Sequence, residues 1–136
     1  MATIQLEFDF TRPVEAVMRD ERLRTYPRKL RAQDVEELFA EWCRLNADAL
    51  AEMELLALAL DMGGKTVSAK YLVEKQRYEG EASLVGVPWQ DERGHRHTYT
   101  INNDHTALLG RWLLKRHPFM RVERRRSRFD GEGDAA

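Results

Sequence analysis

Between residues 34 and 117, apolar positions recur mostly with helical spacing. The first stripe follows the positions i, i+3, i+4, i+7 and i+8 and consists of Val35, Leu38, Phe39, Trp42 and Cys43. Asp34 can cap this helix, and Asn46 ends it. A second and more apolar helix is predicted from about Asp48 to Met62, where the following pair of glycines forms a strong stop.

The second half of the chain carries two further helical patterns. A third helix is predicted at about residues 67–78, with Thr66 or Ser68 as its N-cap. The last helix opens at residues 102–104 and runs to His117, where a proline follows and ends it.

An extended segment separates these two helices. Residues 83–89 and 97–101 read as strands that flank a turn, so they predict a β-hairpin, and Pro88 indicates that the first strand is an edge or ends early. The order of helices and hairpin resembles a winged helix-turn-helix. We therefore expect a mainly helical α+β fold with a winged helix-turn-helix-like three-helix core, a β-hairpin and an additional C-terminal helix.

The same patterns suggest three segments. Residues 1–32 are expected to form an N-terminal arm or linker, residues 33–118 the winged-helix-like domain, and residues 119–136 a disordered tail that is first basic and then acidic. No apolar run approaches the ~20 residues that span a bilayer, and no signal peptide is evident. With Cys43 as the only cysteine, the expected location is the cytoplasm.

Charge is distributed unevenly along the chain, although the net charge is only −1. Residues 1–64 carry 8 basic and 13 acidic side chains, whereas residues 65–128 carry 14 basic and 7 acidic ones. Such an asymmetry indicates a polyanionic partner, and double-stranded DNA is the expected one. The predicted contacts lie on the third helix, the hairpin tip and an arginine-rich arm: Lys65, Lys70, Lys75, Gln76, Arg77, Arg93, Arg96, Arg124, Arg125 and Arg126. A homodimer is possible, because palindromic targets favour one.

Two other functions remain open at this stage. The acidic first half, including Glu36, Glu37, Glu41 and Glu52, can instead bind a protein, as an inhibitor of a host factor or a packaging accessory would. A hairpin with His95 and His97 before a helix with Asn103, Asp104 and His105 is also compatible with a ββα-type metal-dependent nuclease. The main prediction is a protein that is not an enzyme and has neither a metal nor a cofactor.

Three segments share a specific pattern: FAEWCRLN at 39–46, GGKTVSAKYLVEKQRYE at 63–79 and NNDHTALLGRWLLKRHP at 102–118. Together they resemble a family of small uncharacterised phage and prophage proteins over about 80 residues. The most specific parts are Arg77-Tyr78-Glu79, Asn102-Asn103, Arg111 and Pro118. This chain departs from the pattern at His105 and Leu109. The resemblance implies a phage or mobile-element context, in which regulation of genes is the expected role, and it adds nothing to a catalytic role for His105.

Overall fold

The computed structural model describes residues 20–123, except for the side chain of Asn103. Within this range the chain is a mainly helical α+β protein, as predicted. The helices are α1 (Ala32–Leu45), α2 (Ala47–Met62), α3 (Ala69–Glu79) and α4 (Thr106–Arg116), with a short 3-10 helix at Asn103–His105. The strands are β1 (Thr25–Tyr26), β2 (Val87–Asp91) and β3 (Arg96–Tyr99).

The described chain forms two compact units. The helical unit comprises residues 32–87 and 99–123, and the hairpin unit comprises residues 20–31 and 88–98. Residues 20–31, which the sequence assigns to an arm, therefore belong to a folded unit. The rest of the predicted arm, residues 1–19, lies outside the described residues.

Asn46 separates α1 from α2 and also fixes a distant loop. Its side chain is 3% exposed, and its Nδ2 donates to the carbonyl oxygens of Trp42 at 2.8 Å and Val85 at 3.0 Å. Its Oδ1 accepts a hydrogen bond from the backbone N–H of Val85 at 2.7 Å. The predicted helix break is confirmed here. The predicted cap at Asp34 is not, because α1 starts at Ala32 and Asp34 lies buried in its first turn.

The core of the helical unit is apolar and built from all four helices. Helix α3 packs against both α2 and α4, and α1 packs against α2. The largest side chains with less than 2% exposure in this unit are Trp42, Met53, Leu72, Ile101, Leu109, Leu113, Val35 and Val67. Burial of such side chains is the main source of stability for a helical domain.

The third helix, α3, starts later than predicted, so the connection between α2 and α3 is longer than expected. Gly64 has a φ of +83°, which is a conformation that favours glycine and ends α2 as expected. Val67, which the sequence places in the third helix, instead forms a parallel bridge with Val122. Its N–H donates to Arg121 O at 2.7 Å, and its carbonyl accepts from Glu123 N at 2.8 Å. Residues 119–123 are therefore part of the helical unit and not the beginning of a disordered tail.

The hairpin has a third strand that the sequence pattern does not reveal. The strand order is β1-β2-β3, and β1 runs parallel to β2 with Thr25 opposite Gln90 and Tyr26 opposite Asp91. Pro88 predicted that the first strand is an edge or ends early; β2 is instead the middle strand and continues to Asp91, although its Pro88 end has no partner on the β1 side. Pro88 is tolerated there because β1 pairs only with the far end of β2, so no donor is needed from the proline on that side.

Helix α4 begins later than predicted, after the 3-10 turn. The cap of that turn is Asn102, whose Oδ1 accepts a hydrogen bond from the N–H of His105 at 3.1 Å. The predicted opening at residues 102–104 therefore holds the cap and the 3-10 turn, and the α-helix itself begins at Thr106.

Candidate nucleic-acid interface

Helix α3 carries four of the ten predicted contact residues and has a clear inner and outer face. Ser68 caps it, since the Ser68 hydroxyl oxygen accepts a hydrogen bond from Tyr71 N at 3.2 Å. Leu72 and Val73 are buried in the core. The exposed side chains on the other side are Tyr71, Glu74, Arg77, Tyr78 and Glu79, with Lys70 and Lys75 half-buried beside them.

Lys70 and Arg77 lie on the same flank of α3, because they are seven positions apart, which is two helical turns. Within the described residues, neither side chain has an ion pair or a hydrogen bond. A cation that no carboxylate neutralises is available to a phosphate group. These two residues are the best-placed members of the predicted contact set.

Two tyrosines accompany these cations on the outer face of α3. Tyr71 is 48% exposed and Tyr78 is 80% exposed, again with a spacing of seven. Sequence reasoning singled out the basic residues and missed the tyrosines, although the spacing of the outward positions was a signal for them. Glu74 lies between the two tyrosines and reduces the positive potential of the face.

Lys75 and Gln76 are less available than the sequence suggests. Lys75 Nζ lies 2.6 Å from Glu79 Oε1, one helical turn away, and this hydrogen bond raises the pKa of Lys75. Gln76 is 6% exposed, and its Nε2 donates to Glu52 Oε1 at 2.8 Å and to Ala82 O at 2.9 Å. A base contact by Gln76 requires its amide to point outward. Because the amide points inward, Gln76 is not part of the contact face, and this prediction is wrong.

Lys65 lies in the turn that joins α2 to α3. Its side chain is exposed and has no ion pair within the described residues. The backbone N–H of Lys65 donates to Leu60 O at 2.9 Å, which holds this residue against the C-terminal end of α2.

The hairpin tip is organised around the buried carboxylate of Asp91. Asp91 has no exposed surface, and its Oδ1 accepts hydrogen bonds from Arg93 N at 2.8 Å and His95 N at 3.0 Å. The His97 Nε2 lies 2.9 Å from Asp91 Oδ2. Gly94 completes the turn with a φ of +86°.

These donors also determine the protonation of Asp91. Burial by itself raises the pKa of a carboxyl group, because the charged form loses its hydration. At Asp91 the hydrogen bonds from His97 and from the backbone N–H groups of His95 and Arg93 outweigh burial. The pKa of Asp91 therefore lies well below its usual range, and the group is a carboxylate at neutral pH.

The two arginines of the predicted wing differ in their surroundings. Arg93 is exposed and has no ion pair within residues 20–123. Arg96 lies 2.5 Å from Asp20 Oδ2, and Arg22 binds the same carboxylate. The hydrogen bonds from Arg22 hold the pKa of Asp20 well below its usual range. A phosphate would have to compete with Asp20 for Arg96 but not for Arg93.

The remaining predicted contacts are three arginines of the C-terminal arm. Arg124, Arg125 and Arg126 lie outside the described residues. Arg93 and Arg96 belong to the hairpin unit, whereas the α3 residues belong to the helical unit. The α3 face and the hairpin tip accordingly belong to different units of the chain.

The acidic surface of the alternative interpretation is smaller than the sequence suggests. Glu52 accepts hydrogen bonds from Glu81 N at 3.0 Å and Ala82 N at 2.9 Å, in addition to the one from Gln76. These bonds, with that from Gln76 first, lower the pKa of Glu52. Glu41 forms an ion pair with Arg44 one helical turn away. Glu52 thus anchors a loop, whereas Glu36 and Glu37 have exposed side chains.

His95 and His97 do share one face, but that face is occupied by Asp91. His95 Nδ1 lies 3.4 Å and His97 Nε2 2.9 Å from the same carboxylate oxygen. Among the described residues, no group of three histidine, cysteine, aspartate or glutamate side chains is arranged to hold a metal ion. The geometry gives the histidines a structural use, which is to hold the buried carboxylate of the hairpin.

A cavity of about 430 Å³ opens in the helical unit next to α3. It is lined by Trp42, Gln76, Arg77, Gly80, Ser83, Leu84, Val85, Thr100 and Ile101. Gly80 is required beside it, because a Cβ atom there would lie 2.1 Å from Nε2 of Gln76. Arg77 therefore borders both this cavity and the outer face of α3.

Comparison with known proteins identifies no relative of this chain. No family model, no curated protein and no solved structure matches it. In the described part of the chain, none of the helices is long and apolar enough to cross a membrane.

Proposed function

We propose that this chain is a DNA-binding protein that contacts a duplex through the outer face of α3, in the manner of a winged helix-turn-helix. In that mode the helix after the turn enters the major groove, which is wide enough for an α-helix. The order of α1, α2, a tight glycine turn, α3 and a hairpin supports this assignment. The hairpin is then the wing.

One observation carries the proposal more than any other. Lys70 and Arg77 are aligned on one flank of α3 and lack ion pairs in the described chain, next to the exposed rings of Tyr71 and Tyr78. Cationic groups supply the attraction to phosphate, and tyrosine hydroxyls add hydrogen bonds to the backbone of the duplex.

Sequence selectivity in this proposal rests on few groups. With Gln76 buried, Arg77 is the side chain of α3 that is suited to bidentate recognition of guanine. Arg93 serves as a phosphate contact of the wing, while Arg96 contributes only if it leaves Asp20. We therefore expect binding that is dominated by phosphate contacts and only weakly selective.

The biological setting belongs to the same proposal. The resemblance of three sequence segments to small phage and prophage proteins is the basis for proposing a phage or mobile-element origin and a role in regulating genes in the cytoplasm of a host cell. The arginines at 124–126 supply an additional basic arm in this proposal. Neither a cofactor nor an enzymatic step is required.

The direct test is a titration of a labelled random-sequence duplex, followed by fluorescence anisotropy at several salt concentrations. The logarithm of the binding constant should fall linearly with the logarithm of salt concentration, as expected for release of counterions. No binding at low salt would sink the proposal.

A matched pair of variants locates the contact surface. In Lys70→Ala/Arg77→Ala binding should weaken and the magnitude of the salt slope should fall by about 1, because Lys70 loses a phosphate contact and Arg77 loses the base contact assigned to it. The control, Arg44→Ala/Lys115→Ala, removes the same charge from exposed positions on α1 and α4 and should leave the slope unchanged. Equal losses in both variants would show that α3 is not the contact surface.

A further inference from the structure

The outer face of α2 is apolar although it is exposed. Ala51, Leu55, Ala59 and Met62 recur at intervals of four, four and three along this face. Leu55 is 68% exposed and Met62 is 84% exposed. An ordinary surface helix has polar or charged side chains on its outer face, so this stripe departs from the usual pattern.

The opposite face of α2 is already used by the core of the helical unit. Ala49, Leu50, Met53 and Ala57 are each no more than 5% exposed. A helix that is apolar on both sides is normally buried on both sides. The outer stripe therefore has no role in the described core.

Phe119 is a further exposed apolar side chain, in a segment that is attached to one flank of α2. It is 98% exposed, and the residues around it are fixed to α2 at two points. His117 Nε2 lies 2.6 Å from Glu54 Oε2, and Arg121 N donates to Asp61 Oδ1 at 3.0 Å. Since Glu54 and Asp61 lie on the same side of α2, the segment with Phe119 runs along the edge of the stripe.

We propose that this face binds a second copy of the same chain, with α2 packed antiparallel against α2 of the partner around a two-fold axis. The stripe is complementary to itself in size. An antiparallel arrangement places Leu55 over Ala59 of the other copy and Met62 over its Ala51, so each large side chain meets a small one. Isologous interfaces require this kind of self-complementarity.

The positions of two charged residues at the ends of α2 also fit the proposed two-fold axis. Asp48 is exposed in the first turn of α2, and Lys65 is exposed just beyond its last turn. The axis that pairs Leu55 with Ala59 also brings Asp48 of one copy to Lys65 of the other, twice per dimer. The midpoints of the pairs Leu55–Ala59, Met62–Ala51 and Asp48–Lys65 all fall within half a residue of Ala57, so one two-fold axis accounts for all three.

The available area indicates how strong this association is. At their observed exposure, Leu55, Met62 and Phe119 offer on the order of 500 Å² of apolar surface per chain. Two copies then bury on the order of 1,000 Å², near the lower limit for specific interfaces. The structure thus favours a reversible dimer that forms as the concentration rises.

Sedimentation equilibrium of the full chain without DNA, over a range of concentrations, tests the dimer. Leu55→Glu/Met62→Glu should weaken dimerisation by at least about tenfold, because four carboxylates enter the interface. Both positions are exposed, so the monomer should keep its fold, which circular dichroism can verify. The control Tyr71→Glu/Tyr78→Glu changes the same number of exposed side chains on α3 and should leave dimerisation unchanged.

A charge exchange tests the two-fold arrangement itself. Asp48→Lys and Lys65→Asp should each weaken dimerisation several-fold, and the double variant should restore it. Exposed ion pairs are individually weak, but each occurs twice in the dimer. A chain that stays monomeric at every concentration, a dimer indifferent to the change at Leu55 and Met62, or a double variant without recovery would overturn the proposal.

The dimer and the DNA contact can fail separately. Dimerisation is measured without nucleic acid, and the DNA test changes Lys70 and Arg77, which are on α3. Lys65, in the turn before α3, is assigned here to the partner copy, so the DNA proposal depends on Lys70 and Arg77 of α3.

Discussion

The helical unit and the hairpin unit are stabilised in different ways. In the helical unit, large apolar side chains from four helices fill the interior. In the hairpin unit, two of the buried side chains are polar: Gln90 is 2% exposed and Asp91 is not exposed at all. The helical unit also buries a few polar side chains, but they are outnumbered by apolar ones, whereas in the hairpin unit Gln90 and Asp91 lie beside only two buried apolar side chains, Tyr26 and Trp89, among the described residues.

The hydrogen bonds of the hairpin unit join segments that are far apart in sequence. Gln90 Oε1 accepts from Asp20 N at 2.8 Å, and its Nε2 donates to Thr25 Oγ1 at 3.1 Å. Around them, Trp89 stacks on His97 with ring centroids 4.3 Å apart. A unit of this kind is sensitive to pH, whereas an apolar core responds mainly to changes in packing.

The largest effect is expected from a substitution that creates a cavity in the apolar core of the helical unit. Leu109 has no exposed surface. Leu109→Ala should reduce the free energy of unfolding by about 2–5 kcal/mol, because apolar contacts are lost and a cavity remains. Urea denaturation measures this loss. The control Leu109→Met nearly conserves volume and should cost less than about 1.5 kcal/mol. Similar losses in both variants would contradict a core that depends on side-chain volume.

An intermediate effect is expected from Asn46, one of the polar side chains buried in the helical unit. Asn46→Ala leaves the N–H and carbonyl groups of Val85 without their partner, so the free energy of unfolding should fall by about 1–3 kcal/mol. Asn46→Asp retains the acceptor for Val85 N but loses both donated bonds. It should therefore also destabilise the unit. If Asn46→Ala were neutral in urea denaturation, the loop would not depend on this anchor.

The smallest and most local effect is expected at Asp91. Since its pKa is lowered in the folded state, its stabilising contribution is present above the ordinary value of 3.8 and is lost as the pH falls through the lower folded value. Asp91→Asn removes this contribution at neutral pH. Hydrogen-exchange protection of the Arg93 and His95 amides should then fall by roughly tenfold or more.

The pH dependence provides the control for that experiment. In the natural chain, protection of these two amides should decrease in strong acid, below about pH 4. In Asp91→Asn it should be lower at neutral pH and depend less on acid. Unchanged protection in the variant would mean that backbone pairing alone holds the hairpin tip.

Signals that act within a few residues predicted much of the helical unit. Asn46 and the Gly63-Gly64 pair mark the ends of α1 and α2 in the sequence, and the structure ends the helices there. Contacts between distant segments were not predictable in this way. The parallel pairing of Thr25 with Gln90 and the bridge from Val67 to Val122 leave no local periodicity.

The candidate site shows the same division. Spacing alone placed Lys70 and Arg77 on α3, but it left open whether Gln76 points inward. The inward orientation of Gln76 is fixed by its hydrogen bonds to Glu52 and Ala82, two residues that are far apart from one another in the sequence. The engagement of Arg96 by Asp20 could not be foreseen either, because the partner is 76 positions away.

The loop between α3 and β2 has a practical consequence for protein engineering. Irregular segments usually accept insertions and are cut readily by proteases. Here Glu52 binds the backbone at Glu81 and Ala82, and Asn46 binds it at Val85, so the loop is fastened to α2 and to the α1–α2 break at both of its ends. An affinity tag, a fusion partner or a circular-permutation break placed in this loop would disturb the helices themselves, despite the loop's irregular backbone.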